Sequence, residues 1–224
     1  VDDDWLQDFA DGLREAADRF GVQLIGGDTC RGELAVCIQA AGLVPADAYV
    51  TRAGAQPGDI VAVSGELGNA ALGLADLEAE IELPAAAREK CRLALNRPQP
   101  RLELAPFLSR YATAAIDISD GLVGDLRHLL DASGCGAVIE RAAIPVDDWI
   151  LRRQQYEYAL AAGDDYQICC TLGERDRGEI DAWNRDHPQC RLTVIGAITE
   201  SGYQLQVGDQ AVDLDGQRGF RHFD

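Results

Sequence analysis

Basic residues are scarce in this chain of 224 residues, with 20 Lys and Arg against 38 Asp and Glu and a formal charge of −18. Nucleic acids and anionic membranes recruit basic surfaces, so neither is an expected partner. Nucleotides stay open, because a divalent cation bridges carboxylate to phosphate. Long apolar runs are missing too. No stretch reaches the roughly 18 residues that a spanning helix needs, so no transmembrane helix is expected. The opening VDDDWLQDF is acidic and lacks the apolar segment of a signal peptide. The seven cysteines show no CxxC spacing. Cys37, Cys169 and Cys170 lie within apolar runs and read as core thiols of a protein in a reducing cytoplasm. His128, His187 and His222 share no ligand spacing, so no zinc site and no serine or cysteine triad is assigned. There is no internal repeat, no low-complexity tract and no Gly-Lys-Ser/Thr of a P-loop.

What is present is enough to build a core. Apolar residues make up 47% of the chain, which argues against global disorder. The length suits one large domain or one and a half ordinary ones. Trp5, Phe9, Leu13, Ala16 and Phe20 share one helical face, with Asp2 to Asp4 at its positive end and Gly21 placed to terminate it. Strands are expected at Val22 to Ile25 and Leu34 to Gly42, the second apolar on both faces and so central in a sheet. Leu43 to Pro57 reads as a linker, which places a domain boundary near Ala46 and divides the chain into 1–46 and 47–224. The first part is too small to close a core alone.

The second part alternates strands and helices. Strands are expected at Ile60 to Ser64, Val138 to Ile139, Tyr166 to Thr171 and Leu192 to Ile198. Tyr203 to Val207 and Ala211 to Leu214 flank Gly208-Asp209 as a hairpin. Helices are expected at Asn69 to Ala79, from Pro84 to before Arg97-Pro98, and near Arg175 to Asn184. The fold class is therefore α/β (α+β), a mixed sheet with helices packed on it and antiparallel edges.

The most informative stretch is AIDISDGLVGD, Ala115 to Asp125. Ile116 and Ile118 alternate with Asp117 and Ser119, Asp120-Gly121 makes a turn, and Leu122, Leu126, Leu129 and Leu130 follow at helical spacing. Asp117, Ser119 and Asp120 thus gather at a strand's carboxyl end, a usual ligand position, and carboxylates there suit Mg²⁺. The alternative is that Ser119 or Asp120 caps the helix. Two further acidic turns are Gly26-Gly27-Asp28-Thr29 and Gly163-Asp164-Asp165-Tyr166, where adjacent carboxylates repel unless a cation or donor lies near. The alternative for both is an ordinary solvated turn. Ser64 to Asn69 can offer backbone N–H groups to an anion at a helix N-terminus. Arg52 is a lone cation in the linker, either a phosphate clamp or a solvated side chain.

Taken together, GGDT, TRAGAQPGD, VSGELGNAALGL, AIDISDGL, AGDDYQI and GFRHF resemble the thiamine-monophosphate kinase family over nearly the whole chain, from about Gln23 to Phe223. The resemblance implies the C-terminal domain of the aminoimidazole ribonucleotide synthetase-like fold, preceded by the tail of an N-terminal ATP- and Mg-binding domain. It implies ATP-dependent phosphorylation of thiamine monophosphate to the diphosphate with Mg²⁺, in a cytoplasmic protein that is a homodimer at full length. By the same resemblance Asp28, Asp117 and Asp120 are metal ligands, and Thr29, Arg52 and Ser119 contact ATP. Asp164 and Phe220 contact the substrate. The chain departs from the family pattern at five places. Asp164 stands for a glutamate, Phe220 for a tyrosine, Asn69 for an aspartate, Cys30 for a threonine and Arg221 for an acid. Family members carry further residues before the first of these motifs, so this chain alone is expected to be inactive. The alternatives are another ATP-dependent synthetase of the superfamily and a non-catalytic Mg²⁺- or nucleotide-binding module.

Overall fold

The computed structural model describes residues 2–215. The chain falls into two units, Val1–Val44 and a second that begins at Pro45. In the first unit, α1 spans Asp3–Phe20. Asp2 caps it by accepting from Trp5 N at 2.9 Å, and Gly21 ends it in the left-handed region at φ 64°. Beyond Gly21 the expected strands at Val22 to Ile25 and Leu34 to Gly42 do not form. No ladder pairs either segment among the described residues. A strand's N–H and C=O groups need a partner strand, and an apolar pattern does not supply one. Cys37, expected in a core, is exposed with its segment.

The second unit holds a seven-stranded sheet and its covering helices. The strands are β1 (Asp59–Ser64), β2 (Ala112–Ile118), β3 (Gly136–Glu140), β4 (Gln167–Gly173), β5 (Leu192–Thr199), β6 (Tyr203–Val207) and β7 (Gln210–Asp213), in spatial order β2-β4-β1-β5-β3-β6-β7. Antiparallel pairing runs through the whole sheet rather than along its edges alone; among the described strands β3–β6 is the one parallel pair, and Leu67 and Val146 form an isolated parallel bridge outside them. Every residue of β1 is buried, because the sheet is covered on both faces. Alternate side chains therefore enter different cores. Val61, Val63, Ile118 and Cys169 face one, with Leu72 of α2 (Asn69–Leu77) and Leu122, Leu126, Leu129 and Leu130 of α5 (Leu122–Ser133). Ile60, Ala62 and Cys170 face the other, with Phe107 of α4 (Ala105–Tyr111) and Ile180 of α8 (Arg177–Asp186). Each fully buried leucine of α5 contributes about 1.5–3 kcal/mol, and Leu126→Ala would cost about 2–5 kcal/mol.

Helix α3 (Ala85–Asn96) ends before Pro98 as expected. Three short helices carry no periodicity long enough to read: α4, α6 (Asp148–Arg153) and α7 (Glu157–Leu160). The register that matters most pairs Ile118 with Gln167. It sets the end of β2 beside the start of β4, so the turns at Asp120 and Asp164 become neighbours.

Candidate functional site

Strand β2 ends at Ile118 and α5 starts at Leu122, with Gly121 as its N-cap and no side-chain cap. The capping alternative for Ser119 and Asp120 is thereby overturned. The carboxylate that ties this turn is Asp125, buried in the first turn of α5, whose Oδ2 accepts from both Ser119 N and Asp120 N at 2.9 Å. Burial pushes the Asp125 carboxyl up and the two N–H donors pull it back, while the charges of Asp120 and Asp117 push it further up. Gly121 sits at φ 104°, and a side chain there would press on the Ala161 backbone.

The second turn is sewn to the first. Asp164 N donates to Ser119 O at 2.9 Å and Tyr166 N to Ile118 O at 2.8 Å. Gly163 is required because a Cβ would collide with the Ser119 carbonyl. Asp164 and Tyr166 both hold left-handed backbone, at φ 68° and 48°, a strained arrangement for residues with side chains. The adjacent carboxylates part company. Asp164 is exposed, whereas Asp165 is buried and accepts from Gly68 N at 2.7 Å. Burial raises the Asp165 carboxyl to about 7, against the N–H groups of Gly68, Ala70 and Asn69 and with the Asp164 charge. The Ser64 to Asn69 turn therefore does present an N–H group, that of Gly68, to a carboxyl, and the carboxyl is the internal Asp165.

Between these turns and α2 lies a cleft of about 450 Å³. Ser119, Asp120 and Asp164 line it with Tyr158, Tyr166, Glu78 and Glu80, and Ala71, Leu74 and Ala75 of α2 form its apolar wall. The Tyr166 hydroxyl donates to Asp164 Oδ1 at 3.3 Å. Burial raises the Tyr166 phenol, and the negative charges of Asp164, Asp117 and Asp120 raise it further. Three carboxylates thus act on one ring, a field that favours a cationic ligand.

The structure brings Ser119, Asp120 and Asp164 into this cleft. Asp117 is exposed on β2 and acts on the cleft through its charge. Arg52 is exposed and is not among the cleft-lining residues; its carbonyl accepts from Ser133 Oγ at 3.3 Å. Asp28 and Thr29 belong to the first unit, where Thr29 N donates to Asp28 Oδ1 at 2.8 Å and the Cys30 thiol donates to Oδ2 at 3.5 Å. Phe220 lies outside the described residues. Sequence reasoning passed over Asp125, Tyr158, Glu78 and Glu80, and gave no role to Asp165 or Tyr166. An acid in a helix's first turn was the available signal for Asp125. Tyr158 sits on a four-residue helix and offered none.

Carboxylates and a hydroxyl are hard oxygen donors, and no imidazole or thiol lines the cleft among the described residues. No three His, Cys, Asp or Glu side chains there form a metal cage either. Mg²⁺ commonly uses one or two protein carboxylates and completes its shell with phosphate oxygens and water, and this donor set fits that mode.

Two family models match the chain: the AIR synthase related protein C-terminal domain over residues 56–208, and the corresponding N-terminal domain over residues 1–44. The thiamine-monophosphate kinase of Escherichia coli (strain K12) is 37% identical over 100% of this chain and 70% of its own length. The crystal structure of thiamine-monophosphate kinase from Stenotrophomonas maltophilia K279a superposes with a TM-score of 0.80 at 32% identity, covering 92% of this chain and 68% of that one. A solved structure of AaThiL complexed with AMPPCP and TMP matches 73% of this chain and 53% of its own, with a TM-score of 0.59 and 32% identity. Motifs spread along the whole chain, the sheet that joins two of them, and relatives of this identity and coverage agree: the chain belongs to the thiamine-monophosphate kinase family.

Proposed function

We propose that this protein transfers the γ-phosphoryl group of ATP to thiamine monophosphate, giving thiamine diphosphate and ADP. The observation that carries this reading is the cleft, where aromatic rings and carboxylates converge beside the Ser119–Asp120 turn. Its volume suits a small ligand. A flat, cationic thiazolium stacks on tyrosine and pairs with carboxylate, and an apolar wall covers the rest of the ring. The relatives named above support the same activity.

The chemistry asks little of a general base. A terminal phosphate oxygen of thiamine monophosphate is already ionised at neutral pH. It forms the new bond to the γ-phosphorus as the bond to the β,γ-bridging oxygen breaks, and ADP leaves. Positioning and charge neutralisation between two polyanions are what the protein must provide. Mg²⁺, when bound, neutralises phosphate charge. In the first unit we assign Asp28 to a Mg²⁺ ion and Thr29 to ATP; in the second we assign Asp117 and Asp120 to Mg²⁺, Arg52 and Ser119 to ATP, and Asp164 and Phe220 to thiamine monophosphate. Tyr158 and Tyr166 join the substrate group. Asp164 is one methylene shorter than the glutamate of the family pattern, and it accepts a long bond from the Tyr166 hydroxyl at 3.3 Å. No helix among the described residues is long and apolar enough to cross a membrane. The seven cysteines are free thiols, which supports a cytoplasmic setting. The homodimer at full length belongs to the same proposal, and sedimentation of the natural protein tests it.

Incubating the full-length natural protein with ATP, Mg²⁺ and thiamine monophosphate tests the function. Thiamine diphosphate and ADP should appear in equal amounts. ATP hydrolysis without thiamine diphosphate would point to another synthetase of the superfamily, and binding without turnover would point to a binding module.

A further inference from the structure

We propose that Asp165 is a positioning residue that sets the direction in which Asp164 and Tyr166 enter the substrate cleft. The proposal rests on the reading of that cleft as the thiamine monophosphate site. Asp164 and Asp165 are adjacent and carry like charge, and the fold separates them. Asp164 lines the 450 Å³ cleft. Asp165 turns the other way, is 7% exposed, and borders a different cleft beside Asn69, Lys90 and Gln167.

Three residues in a row hold this geometry. Asp164 and Tyr166 flank Asp165, and both are left-handed, a conformation that side chains disfavour. Such a turn persists only if its surroundings over-determine it. On one side the amides of Asp164 and Tyr166 bind the carbonyls of Ser119 and Ile118. On the other, Asp165 Oδ2 accepts from Gly68 N at 2.7 Å, and the neighbouring amides of Asn69 and Ala70 pull its carboxyl pKa down. Those amides open α2, the helix whose Ala71, Leu74 and Ala75 form the apolar wall of the cleft. The Asp165 carboxylate thus joins the turn that supplies the polar groups to the helix that supplies the apolar wall. Without it, the backbone bonds to β2 and the core packing of Leu67, Ala70 and Leu72 would remain, and the direct polar tie between the two walls would be lost. Asp165 touches no reacting atom in this scheme.

The test uses Asp165→Ala and Asp165→Asn in the full-length natural protein. Activity is normalised to folded protein, and amide hydrogen exchange is followed in parallel. Asp165→Ala should raise KM for thiamine monophosphate about tenfold or more and leave KM for ATP within about twofold. Exchange at Asp164 and Tyr166 should quicken at least tenfold, while Cys169 to Leu172 within β4 stays protected. Asp165→Asn keeps an oxygen acceptor in the same shape and should shift both readouts less. Unchanged KM in folded Asp165→Ala, or equal rises for both substrates, would overturn the proposal. So would unfolding of Asp165→Asn, which would make the residue a support of the fold. If Asp165→Ala alone fails to fold, Asp165→Asn decides: wild-type values overturn the proposal and an intermediate shift supports it. A wild-type protein that phosphorylates no thiamine monophosphate would defeat the functional reading instead. The exchange measurement would still test the anchor.

Discussion

At Asp28 and at Asp120 the chain makes two turns from similar parts, an aspartate with glycine and a hydroxyl residue beside it. The Asp28 carboxylate binds the Thr29 amide and the Cys30 thiol, its own neighbours in sequence, and the residues around it are exposed. The Asp120 turn is held from outside itself. Asp125 takes its two amides, and the Gly163–Tyr166 turn takes the carbonyls of Ile118 and Ser119. Buried support fixes the backbone beneath the Asp120 and Asp164 side chains, which line the cleft. A turn that spends its carboxylate on its own amides is the weaker scaffold for chemistry unless a ligand reorganises it.

The sharpest way to break this comparison is Asp120→Asn in the full-length natural protein. If the side chain serves charge and not the fold, turnover should fall by about 10²-fold or more. The melting temperature without Mg²⁺ should stay level or rise, because repulsion with Asp117 and Asp125 is relieved. Normal turnover with a lowered, Mg²⁺-independent melting temperature would return Asp120 to a structural role.

Asp164→Asn should act next most strongly. KM for thiamine monophosphate should rise about tenfold, well beyond any change for ATP, because a carboxylate facing a cationic ring is lost. Equal effects on the two substrates would place Asp164 at the metal instead.

The supports can be compared directly. Asp125→Ala leaves two amides of a half-buried turn without a partner, at about 1–3 kcal/mol, which at about 2–4 °C per kcal/mol for a chain of this size lowers the melting temperature by roughly 2–12 °C. Asp28→Ala removes an exposed local bond and should change stability by no more than about 0.5 kcal/mol. Matching losses at the two positions, read by thermal melts side by side, would erase the distinction between the turns.

A pH titration tests the Asp165 anchor itself. The Asp165 carboxyl rises from its ordinary 3.8 to about 7 in the fold. The folded state therefore holds a proton that the unfolded state releases. That stabilisation is fully present below about pH 3.8 and is lost as pH climbs through about 7. The melting temperature of the wild type relative to Asp165→Asn should fall across that window and level off above it. A difference that does not vary with pH would mean that Asp165 keeps an ordinary carboxylate pKa.

The stretch Ala115 to Asp125 was readable because each level of its chemistry agreed. Alternating isoleucines specify a half-buried strand, Asp-Gly a turn, and leucines at helical spacing a buried helix face, and all three formed. The same reasoning failed at Leu34 to Gly42, where an apolar run looks like a central strand but has no pairing partner among the described residues. At Ser64 to Asn69 it found an amide open to an acceptor, but nothing local says that the acceptor is Asp165.

The sequence by itself determined which local elements the second unit makes and which residue types have the charge and shape for phosphoryl chemistry, because periodicity, turn residues and side-chain chemistry act over a few neighbours. Only the tertiary structure decided that Asp120 and Asp164 share a cleft, that Asp125 and Asp165 hold the turns beneath them, and that Tyr158 and Tyr166 supply its aromatic surface. Those outcomes depend on the antiparallel register of β2 against β4 and on the packing of α2 and α7. Residues far apart in the chain become neighbours there through hydrogen bonds and burial, which no local pattern encodes.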